Sequence, residues 1–305
     1  MAGPRQLVDA PTFTPSPYGL LSVVQTPSTG DAHWLNGVTW SSYCPDAGQA
    51  TYDECIVVTG SGGPPPEPSV KTTNVDVVHR GATPFTAYAR FDCATVGNEN
   101  AIETAREALA RTETFQVERT FWTGLVDGKT LAFPHLAADA EVEDSAGILL
   151  QTVASPVATG AALDIATGLG LLEQGLADCF GGTGVIHVPV KLLPTLDALS
   201  LLRVVNARNV GTGRFDRQLQ TLNGNLVAAG AGYPGTSPTG ASTTADATWI
   251  YATGPVFMRR GDVKILSGNS AINRETNNVE MIAERTYVFG FDCCHVAVQV
   301  SLGTP

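Results

Sequence analysis

The chain has 305 residues, 43% hydrophobic and 15% charged, which supplies one or two packed cores and excludes a disordered protein. Its formal net charge is -11, and only four of its 18 basic residues are lysines, with Arg259-Arg260 the nearest approach to a basic cluster. That excludes tight tracking of nucleic-acid phosphates, while 32 Gly and 19 Pro beside so little charge suit a loop-rich chain largely covered by neighbours.

No stretch approaches the ~20 apolar residues of a membrane span, and the first residues, MAGPRQLVDAPTFTPSPYG, lack the apolar core of a signal peptide. The six cysteines, Cys44, Cys55, Cys93, Cys179, Cys293 and Cys294, make no C-x-x-C pair. Adjacent Cys293 and Cys294 are poorly placed to bridge each other, and free buried thiols are the expectation.

Residues 1–35 are rich in Pro, Ser and Thr without periodicity, as in an extended arm that lies against something else. Trp40–Cys44 and Phe85–Ala94 are β-prone and flank the turn-rich run Gly60–Pro66, so they predict the two strands of a protruding hairpin. Asn98–Thr123 predicts one long helix: Asn98 or Asn100 caps it, Glu107 and Arg111 pair at i,i+4, and Gly124 ends it. Ile102, Ala105 and Leu109 make its narrow apolar stripe. Ile165, Leu169, Leu172, Leu176 and Phe180 share a face of a second helix, led by Asp164 and stopped by Gly181-Gly182. A buried strand over Gly184–Val188 follows, then a third helix opening at Pro189 with Leu192, Leu196 and Leu199 on one stripe. Strands are expected over Leu222–Ala228, Thr248–Ala252, Val256–Arg260 and Val263–Leu266, and a long apolar run over Val279–Ser301. Helices and strands mix without βαβ regularity, so the fold class is α+β.

Chemistry-bearing motifs are thin. Gly124–Thr130 has three residues between its glycines where a phosphate loop needs four, and reads as a turn after the helix. Gly168-x-Gly170 lies inside a helix, where close packing of another backbone explains it better than a dinucleotide. Cys293-Cys294-His295 sits in an apolar run, and the other histidines (33, 79, 135 and 187) are scattered, so core packing is favoured over metal. No nucleophile elbow, HExxH or carboxylate pair is present. Catalytic, cofactor and metal residues are therefore expected to be none.

In the order of its elements the chain resembles the Hong Kong 97-type capsid proteins of tailed double-stranded-DNA phages, a family that includes encapsulin shells. The residues that carry the resemblance are Trp122-Thr123-Gly124 before Ala146–Leu149, Asp164-Ile165 through His187, Pro189–Leu202, and Glu284-Arg285 before Val296–Val298 and Gly303. ERTFWTG, TWIYATGPV and AERTYVFGFDC also look like capsid subunits of actinobacterial phages. The resemblance implies an N-terminal arm (1–35), an extended loop (36–95), a peripheral domain with a spine helix (96–161), an axial domain (162–247) and return strands (248–305). It implies a major capsid protein, not an enzyme, whose copies form pentamers and hexamers of an icosahedral virion shell around DNA, made in the host cytoplasm. Scaffolding, portal and decoration proteins are the other implied partners, with no cofactor and no membrane. An encapsulin-type compartment or a minor head or tail-tube protein is the alternative; a secreted hydrolase or lectin is a third, lacking signal peptide and site residues.

Self-crosslinking members need a loop Lys, an Asn before the last strands and a catalytic Glu ahead of the Glu-Arg pair. Lys71 and Asn277 or Asn278 fill the first two places, but Ala283 stands at the third, so no crosslink is expected. The family's axial loop falls on Asn206–Asn225, where Arg208, Arg214, Asp216 and Arg217 are the candidates, with Lys71, for contacts between subunits.

Overall fold

Ala101–Thr123 form helix α1, 23 residues free of Gly and Pro and rich in Ala, Glu and Arg, the residues that lose least on entering a helix. Gly124 stops it in the left-handed region (φ 74°), its N–H donating to Thr120 O at 2.7 Å. Ala105 and Leu109 are buried as expected, but Ile102 is 44% exposed, and the heavier buried face comes later, at Val117, Phe121 and Trp122. The computed structural model describes residues 13–14, 16–27, 32–44, 77–94, 100–208, 215–266, 272–273 and 278–302, so the expected helix start at Asn98 lies outside the described residues.

In chain order the strands before the second helix are β1 (Val38–Tyr43), β2 (Val77–Ala82), β3 (Phe85–Ala94), β4 (Leu125–Val126), β5 (Thr130–Leu131), β6 (Val142–Glu143), β7 (Leu149–Gln151) and β8 (Ser155–Pro156). Helix α2 (Ile165–Phe180), β9 (Val185–Pro189), α3 (Leu193–Ala198), β10 (Leu202–Arg208), β11 (Phe215–Thr221) and β12 (Leu226–Gly230) follow. The chain ends through β13 (Ala247–Thr253), β14 (Val256–Arg260), β15 (Lys264–Leu266), β16 (Ile272–Asn273), β17 (Asn278–Phe291) and β18 (His295–Ser301).

Two cores result. In the first, α1 covers a five-stranded sheet organised by β17, which pairs with β3 along ten positions on one side and with β16, β15 and β14 in turn on the other. In the second, Ile165, Leu169, Leu172 and Leu176 of α2 pack on a seven-stranded sheet of order β10-β11-β12-β9-β13-β18-β8. Asp164 caps α2 by accepting from Thr167 N at 2.9 Å. A Cβ at Gly168 would overlap the Val300 side chain, whereas Gly170 faces open space. Close packing thus explains only the first of these glycines, against a side chain rather than a backbone.

Several strand expectations are corrected. The partner of β1 is β2, with Val38 opposite Ala82 and Tyr43 opposite Val77. Residues 85–94 instead join the first core as β3, where Phe85 and Ala87 pack beside β17 and α1 of their own chain. Tertiary burial decided this, because two β-prone runs are equally good partners for Trp40–Tyr43 on propensity alone. The third helix is only α3, and Leu199 is 50% exposed beyond its end. Leu222–Asn223 is a turn, so the strand expected there begins at Leu226, and Leu202–Arg208 pairs antiparallel with Phe215–Thr221 as β10 and β11. Gly124–Thr130 is the expected turn, closed by β4 and β5 with Asp127 and Gly128 both left-handed.

The run Val279–Ser301 is two strands, and its break at Asp292–Cys294 carries the chain from the first sheet to the second. Thr253–Val256 crosses between the same two sheets right beside it. Gly254 N donates to Cys294 O at 3.2 Å, and Asp292 N donates to Pro255 O at 3.2 Å. A Cβ at Gly254 would overlap the carbonyl of Asp292. Replacing Gly254 with Ala is expected to lower stability by ~1–3 kcal/mol through overpacking. Urea unfolding of both proteins measures it, and an unchanged midpoint would show that the crossing has room to spare.

Candidate functional site

The polar groups that tie the elements together converge on α1 and on the 292–294 turn. Glu118 lies on the buried stripe of α1, one turn before Phe121 and Trp122. Its Oε1 accepts from Leu20 N (3.0 Å), in the short 3-10 turn of the N-terminal segment, and its Oε2 accepts from Gly232 N (2.9 Å), just after β12. Burial pushes its carboxyl above the usual range, against the pull of these backbone N–H groups. Glu113, five residues earlier, accepts from Arg285 Nη1 (3.1 Å to each oxygen) and from the Tyr287 hydroxyl (3.0 Å) on β17. One helix therefore holds β17 with one carboxylate, and the N-terminal segment and second sheet with another.

Around the turn, Asp292 accepts from Trp40 Nε1 (3.2 Å) and from Ser42 Oγ, both on β1. Arg80 of β2 donates to Cys293 O at 3.3 Å, and burial lowers its pKa despite the nearby carboxylate of Asp292. Cys293 is disulfide-bonded to Cys44, at the end of β1, and Cys294 to Cys179, in the last turn of α2. The expectation of free thiols is therefore corrected for four cysteines. Their partners stand 249 and 115 residues apart in sequence, a separation that no spacing rule reveals. On chain-entropy grounds each closed loop stabilises by about 5 kcal/mol. Among the described residues the only cluster with metal-ligand geometry is Cys44, Asp292 and Cys293, and two of its members are consumed by the bond between them.

Three buried histidines form a chain through the junction. His187 meets the Tyr233 hydroxyl (3.2 Å) and Thr253 Oγ1 (3.1 Å), and His295 meets the carbonyls of Thr152 (3.0 Å) and Leu136 (2.8 Å). His135 stacks beside Phe133 below Gly124. Burial lowers them from 6.5 to about 3 for His187 and about 4 for His295 and His135, and mutual repulsion adds to it for His187 and His295. The charged or titratable neighbours are Arg80 beside His295, Asp139 beside His135 and Tyr233 beside His187.

Of the residues expected at subunit contacts, Lys71 and Arg214 lie outside the described residues. Arg208 and Asp216 occupy β10 and β11, opposite Phe215 and Ala207, and Arg217 is exposed on β11 opposite Asn206. Ala283 is fully buried in β17 opposite Ala89, with no carboxylate at that place. Asn278, at the start of β17, pairs with Ala94 of β3, while Asn277 is outside the described residues. The residues that reading the sequence missed are Glu113, Glu118 and Asp292. Glu118 was findable: its i+3 and i+4 neighbours are Phe121 and Trp122, so it shares the inward face.

The histidines set a pH dependence whose sign follows from their lowered values. The unfolded chain takes up protons near pH 6.5 while the folded chain refuses them until pH 3–4, so stability is full above 6.5 and falls below it. The loss is on the order of 3 kcal/mol per histidine, partly offset by Glu118, whose raised pKa acts in the opposite sense. Urea midpoints are expected to fall steeply from pH 6.5 to 4. A level profile would mean that these rings are protonated in the fold.

No sequence-family model and no curated protein matches the chain. Its fold, in contrast, matches solved structures along almost its whole length. The capsid of a native GTA particle aligns with TM-score 0.53 at 11% identity, covering 98% of this chain and 95% of that one. The capsid of an empty GTA particle aligns with TM-score 0.52 at 14% identity, with the same coverage. A chain from Mycobacterium phage Adephagia aligns with TM-score 0.49 at 15% identity, covering 96% and 93%. With its long α1 and its two sheets sharing one crossing, the chain has the α+β Hong Kong 97-type fold, as the capsid chains of the GTA particles do.

Proposed function

We propose that this chain is the major capsid protein of a tailed double-stranded-DNA phage, whose copies form pentamers and hexamers that close into an icosahedral shell. The observation that carries the reading is the end-to-end likeness to the GTA capsids, 98% of this chain against 95% of that one. Apolar exposure supports it: Tyr43 (62% exposed) and Val77 stand at the far end of the β1–β2 pair, and Val204 and Leu222 (71%) at the β10–β11 edge. Contact with neighbouring subunits would cover both places and offset the entropy of assembly. The chain encloses DNA without gripping it, in keeping with its net charge of -11. It acts as a structural subunit without a catalytic site, and scaffolding, portal and decoration proteins are separate partners.

The expected product of expressing the chain with its neighbouring head genes is closed shells in negative-stain images. Denaturing gels of those shells should show monomer near 31.9 kDa, since Ala283 provides no base to activate Lys71 toward Asn277 or Asn278. Tubes or single particles would refute the shell reading, an enzyme cargo inside would point to an encapsulin-type compartment, and a covalent ladder would refute the crosslinking argument.

Within the shell, the stretch Asn206–Asn225 lies near the five- and six-fold axes, and Asp216 of one subunit offsets the arginines of its neighbours there. Asp216→Ala is then expected to lower capsomer yield several-fold while leaving the thermal midpoint of the unassembled chain within a few degrees. Equal loss of both would make Asp216 a folding residue instead.

A further inference from the structure

Cys293 and Cys294 sit side by side in the turn where the chain leaves the first sheet for the second, and they are bonded in two directions. One reaches the end of β1, next to residues 45–76, and the other reaches the last turn of α2. We propose that these four cysteines are an oxidative lock: dithiols while the chain folds, and disulfides once it meets a low-molecular-weight disulfide. Nothing in this depends on the shell reading.

Two observations support it. First, the turn is already held without the sulfurs, by Gly254 N to Cys294 O, Asp292 N to Pro255 O, Trp40 Nε1 to Asp292 and Arg80 to Cys293 O. The fold therefore presents the thiols to each other rather than needing the bonds to form. Second, each pair joins one buried sulfur to one half-buried one: Cys293 and Cys294 are 7% and 0% exposed, while Cys44 and Cys179 are partly open. A small oxidant reaches the open partner, and the buried partner resolves the product.

The chemistry balances as two exchanges per pair. The Cys44 thiolate attacks RS–SR, forming a mixed disulfide and releasing RS⁻. The Cys293 thiolate then attacks the Cys44 sulfur and expels the second RS⁻. Two protein thiols are oxidised, one small disulfide is reduced to two thiols, and the protons lost by the cysteines pass to the leaving thiolates. Cys179 and Cys294 follow the same course.

Locking fixes the foot of residues 45–76 and the end of α2 to the single point where the sheets cross. It adds chain constraint without adding contacts, so its effect falls mainly on the unfolded state.

The test uses the full chain, unassembled, after incubation with either a reducing dithiol or oxidised glutathione. Each sample is blocked with N-ethylmaleimide under denaturing conditions and mapped by mass spectrometry. Oxidised chains should yield linked peptides for Cys44–Cys293 and Cys179–Cys294, with no link between chains. Reduced chains should label at all four positions yet keep the native near-UV circular dichroism. At a denaturant concentration within the transition, oxidation should cut the unfolded-to-folded ratio by about a hundredfold or more. Cys44→Ser and Cys179→Ser should each remove part of that gain and leave the reduced form unchanged. Labelling of all four cysteines after oxidation, other pairings, or equal oxidised and reduced stability would overturn the proposal. Loss of the native fold on reduction would also overturn it, by making the bonds a requirement for folding.

Discussion

Everything in this fold depends on the chain passing twice, at one place, between two sheets. The crossings at Thr253–Val256 and Phe291–His295 lie in contact, and their backbone groups satisfy each other. At that distance no side chain fits between them, which is why Gly254 is glycine. If the crossing loosened, the β14–β17 pair would no longer be held against the β13–β18 pair, and the two cores would part. The histidines, Arg80, Asp292 and both disulfides gather at or near this junction. Such a crossing buries backbone and polar groups that no helix or sheet ladder can satisfy alone.

Helix α1 is the second constraint, and it acts through charge as much as through packing. Glu113 and Glu118 are spaced to face different partners, and each is hydrogen-bonded more than once. Glu118 bears the cost of burial while accepting from two backbone N–H groups of distant segments. Removing one partner of such a set strands the other in a dry interior, costing ~1–3 kcal/mol. The helix thereby fixes where the N-terminal segment lies, since Leu20 is anchored to it and Gln25 bonds to β14 on both sides of Phe257.

The same two constraints bear on the proposed role. A subunit that meets neighbours on several sides needs a stiff centre and projecting edges. Here the stiff centre is the helix and the crossing, while β1 and β10 are the edge strands of their sheets and carry exposed apolar residues such as Tyr43 and Val204. An edge strand presents unpaired backbone groups as well as apolar side chains, so such edges gain most from a neighbouring copy.

Much of the framework was legible in the sequence because it rests on local physics. The capped α2, the stop of α1 at Gly124, the turn at Asp127-Gly128 and the buried strands β9, β13 and β14 follow from periodicity, capping and turn chemistry over short spans. The element order that resembles capsid subunits was legible for the same reason, and so was the absence of a carboxylate at Ala283. What only tertiary structure decided involves groups far apart in the chain. The pairing of β1 with β2 and of β3 with β17, the burial of Glu118 and the two disulfides all belong here. Each turns on which of several equally suitable partners lies nearest once the two sheets cross, and composition and spacing carry no information about that distance.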